Sequence, residues 1–230
     1  HGCLKVQRMQ RQPEPELMES LEQARAYAEA DFEEPHRRFI ELFASRFPAL
    51  RVRGHALDLG CGPGDIAMRF AAAHPQCVVH GVDGSPAMLA CADICHRRHP
   101  GLRGRVRLLR GLLPDCALPR ERYDILISNS LLHHLPDPGV LWRSVRRFAG
   151  PGAPVFVVDL RRPPTPAAAR ALAKRYAGDE PQVLRRDFHH SLLAAFTPDE
   201  VRAQLHAAGL SDLRIETPSD RHILVWGHAP

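Results

Sequence analysis

The sequence predicts an α/β fold built on a doubly wound, mostly parallel sheet. Short apolar runs near 55–59, 77–82, 105–110, 124–128 and 154–159 alternate with helix-like segments near 65–73, 86–99 and 138–149, as repeated strand–helix–strand units require. The first run leads into Asp58-Leu59-Gly60-Cys61-Gly62-Pro63-Gly64, a glycine-rich turn between a strand and a helix. The second ends in a carboxylate, Asp83. With 230 residues, 44% of them hydrophobic, one domain with appended helices can bury a sizeable core without disulfides or metals.

Ahead of the first strand, a polar, proline-containing lead runs to Glu16, and helices are expected over 17–30 and 32–47. Leu17, Leu21, Ala24 and Ala28 recur at helical spacing in the first, and Phe39, Leu42, Phe43 and Phe47 form a stripe in the second. These helices either cover a binding site, with Tyr27 and Phe32 reaching the ligand, or shield one edge of the sheet. In the turn, Gly60, Gly62 and Gly64 let the backbone bend tightly and come close to a ligand. The helix after Asp83 carries Cys91, Cys95, His96 and His99; on a continuous helix the cysteines face the core and the histidines its exposed end. Asp137-Pro138 supplies an N-cap and a first-turn proline to the next helix, which Gly150 ends. Beyond Asp159, the run Arg161-Arg162-Pro163-Pro164-Thr165-Pro166 breaks regular structure, and helical stretches follow to Tyr176 and over 181–195. Thr197-Pro198-Asp199-Glu200 is a capping box whose helix Gly209 closes, and two last strands fall near 212–217 and 221–227. The expected organisation is a helical cap over 1–50 and a main domain over 51–230, with 161–195 as an insertion or lid within it.

The formal net charge is +5, and all but Lys5 and Lys174 of the 31 basic residues are arginine. No arginine block is interleaved with aromatics, so nucleic acid is not the expected partner. Six cysteines lie scattered at 3, 61, 77, 91, 95 and 116, no apolar stretch approaches a membrane span, and no leader-like apolar region opens the chain. A reduced, cytoplasmic setting follows as the expectation. The Cys91–His99 cluster and the histidines at 133, 134, 189 and 190 lack firm ligand spacing, so no metal is expected.

In the turn the third glycine comes one residue earlier than in the dinucleotide fingerprint, giving G-x-G-x-G. Asp83 follows about twenty residues on, and Tyr123-Asp124-Ile125-Leu126-Ile127-Ser128-Asn129 forms a further buried strand before Ser130-Leu131-Leu132-His133-His134-Leu135-Pro136-Asp137-Pro138. On these motifs, in this order, the stretch from Arg51 to Leu160 resembles the class I S-adenosylmethionine (AdoMet)-dependent methyltransferases, in particular the small-molecule subgroup of ubiquinone and menaquinone C-methyltransferases. The resemblance implies a Rossmann-like seven-stranded sheet, mostly parallel with an antiparallel last strand. It further implies AdoMet as cofactor, a small-molecule acceptor and an oligomeric state left open. Carried over by position, Gly60, Gly62 and Gly64 contact the methionine moiety, Asp58 the loop backbone or the amino group, and Asp83 with Gly84 the ribose. The family's acidic residue for adenine is missing: Leu112 stands there, leaving backbone groups near Gly111 and Leu112. The proline-proline run that amino-directed nucleic-acid methyltransferases carry after strand four is also missing at Asn129-Ser130-Leu131-Leu132.

Asn129, His133 and His134 follow strand four, next to the expected methyl group, and Asp159 closes strand five. His133 is the candidate base if the nucleophile is oxygen, nitrogen or an acidic carbon; a thiolate needs none. Asn129 and Asp159 complete the candidate catalytic set, while His134 and Arg161 are candidate acceptor contacts, the latter through a guanidinium fork on an anion.

Overall fold

The apolar runs become strands because their residues alternate between two buried faces, which only a sheet covered on both sides permits. In β1 (Gly54–Leu59) Ala56 packs with Val79, Ile127 and Phe156 on one face, while Leu57 and Leu59 pack with Leu126, Val155 and Val157 on the other. The computed structural model describes residues 9–14, 18–102 and 104–230. Leu17, Glu16 and Cys3 lie outside them.

Seven strands form one sheet in the order β3-β2-β1-β4-β5-β7-β6. They are β1, β2 (Cys77–Asp83), β3 (Val106–Arg110), β4 (Ile125–Asn129), β5 (Pro154–Leu160), β6 (Arg214–Glu216) and β7 (His222–His228). The first five are parallel, and β7 runs antiparallel to both β5 and β6. Strand order reverses between β1 and β4, so a crevice opens at their carboxyl ends, where ligands of such sheets bind. Helices α3 (Asp65–Ala73) and α2 (Glu33–Arg46) cover one face; α6 (Gly139–Phe148) and α9 (Pro198–Ala207) cover the other. None of the helices among the described residues is long and apolar enough to cross a membrane.

Of the two leading helices, α2 combines the roles that the sequence set as alternatives, packing on the sheet and lining the cavity at its strand ends. Phe39 and Phe43 of α2 pack edge-on against Phe156 and Phe70, so this helix is part of the sheet's core. Helix α1 (Leu21–Glu29) instead lays Ala24 and Ala28 on Met88 and Cys91, while Leu21 is exposed. The helix expected over 86–99 is two, α4 (Pro86–Ala90) and α5 (Ala92–Arg98), broken at Cys91. The break turns Met88 and Cys91 toward α1 and Cys95 toward the core beside α3. His99 is not on an exposed end: its Nε2 lies 3.4 Å from Asp65 Oδ1. Helix α6 starts at Gly139, whose N–H donates to Asp137 Oδ1 over 2.8 Å, and Gly150 ties its own N–H to Tyr123 rather than closing the helix. Helices α7 (Pro166–Ala177) and α8 (Gln182–Ala194) pack on each other, and the capping box of α9 is formed in both directions.

Gly81 in β2 lets the glycine turn sit on the sheet, since a Cβ there would lie 2.7 Å from Cys61 Cβ and 2.8 Å from Leu108 Cδ2. Gly81→Ala is expected to lower stability by about 1–3 kcal/mol through overpacking, measurable by urea denaturation, with the turn displaced by the same contact.

Candidate active site

The turn after β1 is shaped by backbone bonds and bare glycines. Gly60 and Cys61 both donate to the Val82 carbonyl, at 2.8 and 3.1 Å, which fastens the turn to β2. Gly60, Gly62 and Gly64 all take positive φ, of 72, 53 and 92°. Gly60 and Gly62 line a cavity of about 540 Å³ at the carboxyl ends of the strands. Gly64 does not: it turns toward Leu108 and starts α3, so its part is to shape the bend.

Two carboxylates flank this bare backbone. Asp83 accepts from Gly62 N–H at Oδ2 and from Ser85 N–H at Oδ1, both over 2.8 Å. An ionised carboxylate offers about four acceptor positions, so roughly two remain toward the cavity. Burial pushes the Asp83 carboxyl up. Asp58 is 1% exposed, and burial together with Asp83 pushes its pKa up to about 8. Its Oδ2 has no hydrogen-bond partner, which in a buried carboxylate calls for a cationic or N–H donor from outside the chain. Gly84, Gly111 and Leu112 also line the cavity; no carboxylate stands at 112, and the Leu112 side chain is exposed.

Asp65, which the sequence reading passed over, opens α3 and bonds His36 Nδ1 at 2.5 Å and Arg69 Nε at 2.7 Å. Burial opposes its charge, but His36 and Arg69 outweigh it and hold the carboxyl well below its usual range. The pair ties α2 to the end of the glycine turn. Its sequence signal was an acid directly after G-x-G-x-G; its partner is 29 residues earlier.

The opposite end of the cavity is built on β4 and β5. Asn129 ends β4 and lines the cavity, and Ser130 follows with φ of 60°, a left-handed turn at a non-glycine residue. The chain then enters a 3-10 turn, Leu132–His134. Asp159 does not reach the cavity. It lies 1% exposed behind this turn, with Oδ1 2.6 Å from His133 Nδ1 and Oδ2 taking the Leu132 N–H over 2.6 Å. Burial works against a charge on His133, yet Asp159 and then Glu14 outweigh it and hold the imidazole above its usual pKa. Glu14 is the residue that sequence reasoning missed: its Oε1 lies 3.4 Å from His133 Nε2 and 3.2 Å from His134 Nδ1. These three side chains are the one group among the described residues that brings three possible metal-ligating atoms within 4.8 Å.

The cavity is covered from two sides. Tyr27 and Phe32 line it, 4.8 Å apart between ring centres, and burial pushes the Tyr27 hydroxyl pKa up. Across from them α8 contributes Leu184, Asp187 and Phe188, and Gln23 Nε2 of α1 donates to Asp187 Oδ2 over 2.6 Å. Met18, next to α1, accepts from Ser85 Oγ over 2.5 Å, so this segment is also tied to the Asp83 end. Arg161 is not brought to the site: its Nη2 donates to the Asp220 carbonyl over 3.0 Å. The neighbouring Arg162 is buried and donates to the Met9 and Ala195 carbonyls and to Glu200. The Arg162 fork is taken up within the chain, and Arg161 does not line the cavity.

Residues 57–155 match the family described as "Methyltransferase domain". The chain is similar to 27-O-demethylrifamycin SV methyltransferase of Amycolatopsis mediterranei, 29% identical over 87% of this chain and 69% of that protein. It is also similar to trans-aconitate 2-methyltransferase of Methylobacterium radiotolerans, 34% identical over 62% of this chain and 52% of that one, so the chain spans about half the length of this second relative. A solved SAM-dependent methyltransferase from Aquifex aeolicus superposes with a TM-score of 0.61 over 91% of this chain and 98% of its own, at 17% identity, which shows the fold. The sheet order and the glycine turn agree with the family match, which marks residues 57–155 as similar to a methyltransferase domain, on the fold that the solved methyltransferase shares.

Proposed function

We propose that the chain transfers the methyl group of AdoMet to a small-molecule acceptor held beneath α1 and α8. The observation that carries this reading is one cavity with two unlike ends, bare turn backbone with two acids at one and a carboxylate-oriented imidazole at the other. The names of the curated relatives, on a rifamycin and on trans-aconitate, support the small-molecule class. The covered cavity supports it against a nucleic acid or protein acceptor, and quinone-type carbon acceptors, which the sequence resemblance suggests, belong to the same class.

The residues fit the cofactor. Gly60 and Gly62 would lie along its methionine moiety, Asp58 Oδ2 would receive the ammonium group, and the open acceptor positions of Asp83, beside Gly84, would receive the ribose hydroxyls. Backbone groups of Gly111 and Leu112 would border the adenine. When bound, AdoMet supplies a methyl group on a sulfonium, an electrophile that needs only a nucleophile held in line. At the other end Asp159 holds His133 so that Nε2 is the basic nitrogen, placed to take a proton from an oxygen, nitrogen or acidic-carbon nucleophile. Asn129 would border both ligands, and Tyr27, Phe32 and His134 would contact the acceptor. Gln23 and Asp187 close the cover, which excludes water from the methyl transfer.

Calorimetry tests the first half: the wild type binds AdoMet, and Asp83→Ala binds at least about tenfold more weakly, the loss of one charge-assisted hydrogen bond. A metabolite extract with AdoMet should then yield S-adenosylhomocysteine. Absence of binding by the wild type overturns the reading. Because Asp58 titrates at about 8 in the free protein, it is protonated at pH 7, whereas a bound ammonium group favours its ionised form. Binding should therefore release about one proton, read as a buffer-dependent enthalpy, with affinity rising from pH 6 toward pH 8; Asp58→Asn should abolish the release. His133→Ala is expected to slow S-adenosylhomocysteine formation about 10²–10⁴-fold with AdoMet affinity unchanged.

A further inference from the structure

The segment Met9 to Glu14 is fastened across the domain as a strap. Gln12 N–H donates to the Leu193 carbonyl over 3.0 Å. Arg11 reaches the carbonyls of Ala194, His133 and Leu135 at 2.5, 2.9 and 3.0 Å and lies over the Phe196 ring, and Arg162 holds the Met9 carbonyl at 3.1 Å. All of these partners are more than 120 residues away in the chain. A strap held so firmly delivers its last side chain to a fixed place, and that place is the cavity.

There the Glu14 carboxylate receives the Ser191 hydroxyl over 3.0 Å and presents Oε1 to His133 Nε2. Asp159 already occupies Nδ1, so Nε2 is the nitrogen left for chemistry. A neutral imidazole with its proton on Nδ1 would leave the Nε2 lone pair near a carboxylate oxygen, whereas a positive ring makes the same 3.4 Å contact an ion pair. The arrangement is therefore satisfied in the state that follows proton uptake. His133 is 3% exposed and Glu14 12%, so Glu14 is also the more solvent-connected of the two.

Resting on the proposed function, we propose that Glu14 is the positioning residue of the base: its carboxylate, 3.4 Å from Nε2, steadies the imidazolium that forms when His133 takes the acceptor's proton. The step balances: the electron pair of the acceptor's bond to hydrogen goes to the methyl carbon as the new bond forms, and the proton passes to Nε2 and is later released to water. The groups facing this pair are Asp159 from β5, Arg11 from the strap, His134 from the 3-10 turn, and Asp187, His190 and Ser191 from α8. The N-terminal strap is then part of the catalytic machinery and not only a cover.

The test is an NMR titration of the protein labelled at histidine Cε1, with the His133 signal assigned by its loss in His133→Ala. Removing a negative neighbour destabilises the imidazolium, so in Glu14→Gln the His133 ring should titrate lower by about 1 pH unit or more, with Glu14→Asp lying between it and the wild type. Once an acceptor is found in extract, the acidic limb of the kcat profile should move down with the titration in Glu14→Gln while KM holds. AdoMet calorimetry on the same samples separates the two claims. A wild type that fails to bind AdoMet defeats the proposed function; samples that bind it, yet titrate at His133 alike in wild type and both Glu14 variants, overturn the role of Glu14. If Glu14→Gln does not fold, Glu14→Asp against wild type decides in the same way.

Discussion

Buried carboxylates at the ends of the strands govern the rest of the structure. A charge removed from water must be met by donors or it neutralises, and here the donors are the loops that make the site. Asp83 gathers the amides of Gly62 and Ser85, which fixes the glycine turn and the start of α4 to the end of β2. Asp159 gathers the Leu132 amide and the His133 ring, which fixes the 3-10 turn to the end of β5. Asp58 is the exception. Its Oδ2 meets no donor and the group is pushed toward its neutral form, so the chain leaves one carboxylate to be completed by what binds.

The cover follows the same logic of distant ties. Helix α2 is bound into the aromatic core beneath β5 and to Asp65 and also lines the cavity with His36, Phe39 and Leu42, alongside α1 and the strap. The link between Gln23 and Asp187 joins the leading segment to the α7–α8 pair at the cavity, so the two segments expected as lids meet there.

What was legible in the sequence is what is encoded locally. The alternation of strands and helices, the capping box at Thr197 and the turn from Asp58 to Gly64 each depend on residues a few positions apart, so spacing alone exposes them. Asp83 was found because its offset from the turn is set by one strand–helix–strand unit. Glu14 was invisible, since its partners lie some 120 and 177 residues on, and nothing in a polar, proline-containing lead distinguishes it. Asp159 was found but misplaced: the strand's end pointed to the pocket, while its own need for donors turned it behind His133. The break at Cys91 escaped for a related reason, since one helical stretch has to serve two partners, α1 and the core, whose positions only the fold defines.

The arginine excess, from which no partner was read, has a structural use at several positions. Arg162 spans two carbonyls and a carboxylate, Arg11 three carbonyls, and Arg105 the carbonyls of Ala71, His74 and Cys77. Arg122 holds Arg146 and Ala149, and Arg38 the Pro218 carbonyl. Most of these carbonyls lie at helix ends and in loops, where the backbone supplies few amide donors. A planar guanidinium with five donors in fixed directions can bridge such groups, and a lysine ammonium on a flexible stem cannot do so with the same geometry. Part of the positive charge of this chain is therefore committed to holding its own loops. The cavity they frame is lined at its reactive ends by acids and imidazoles, which suits a cationic cofactor and an acceptor that must give up a proton.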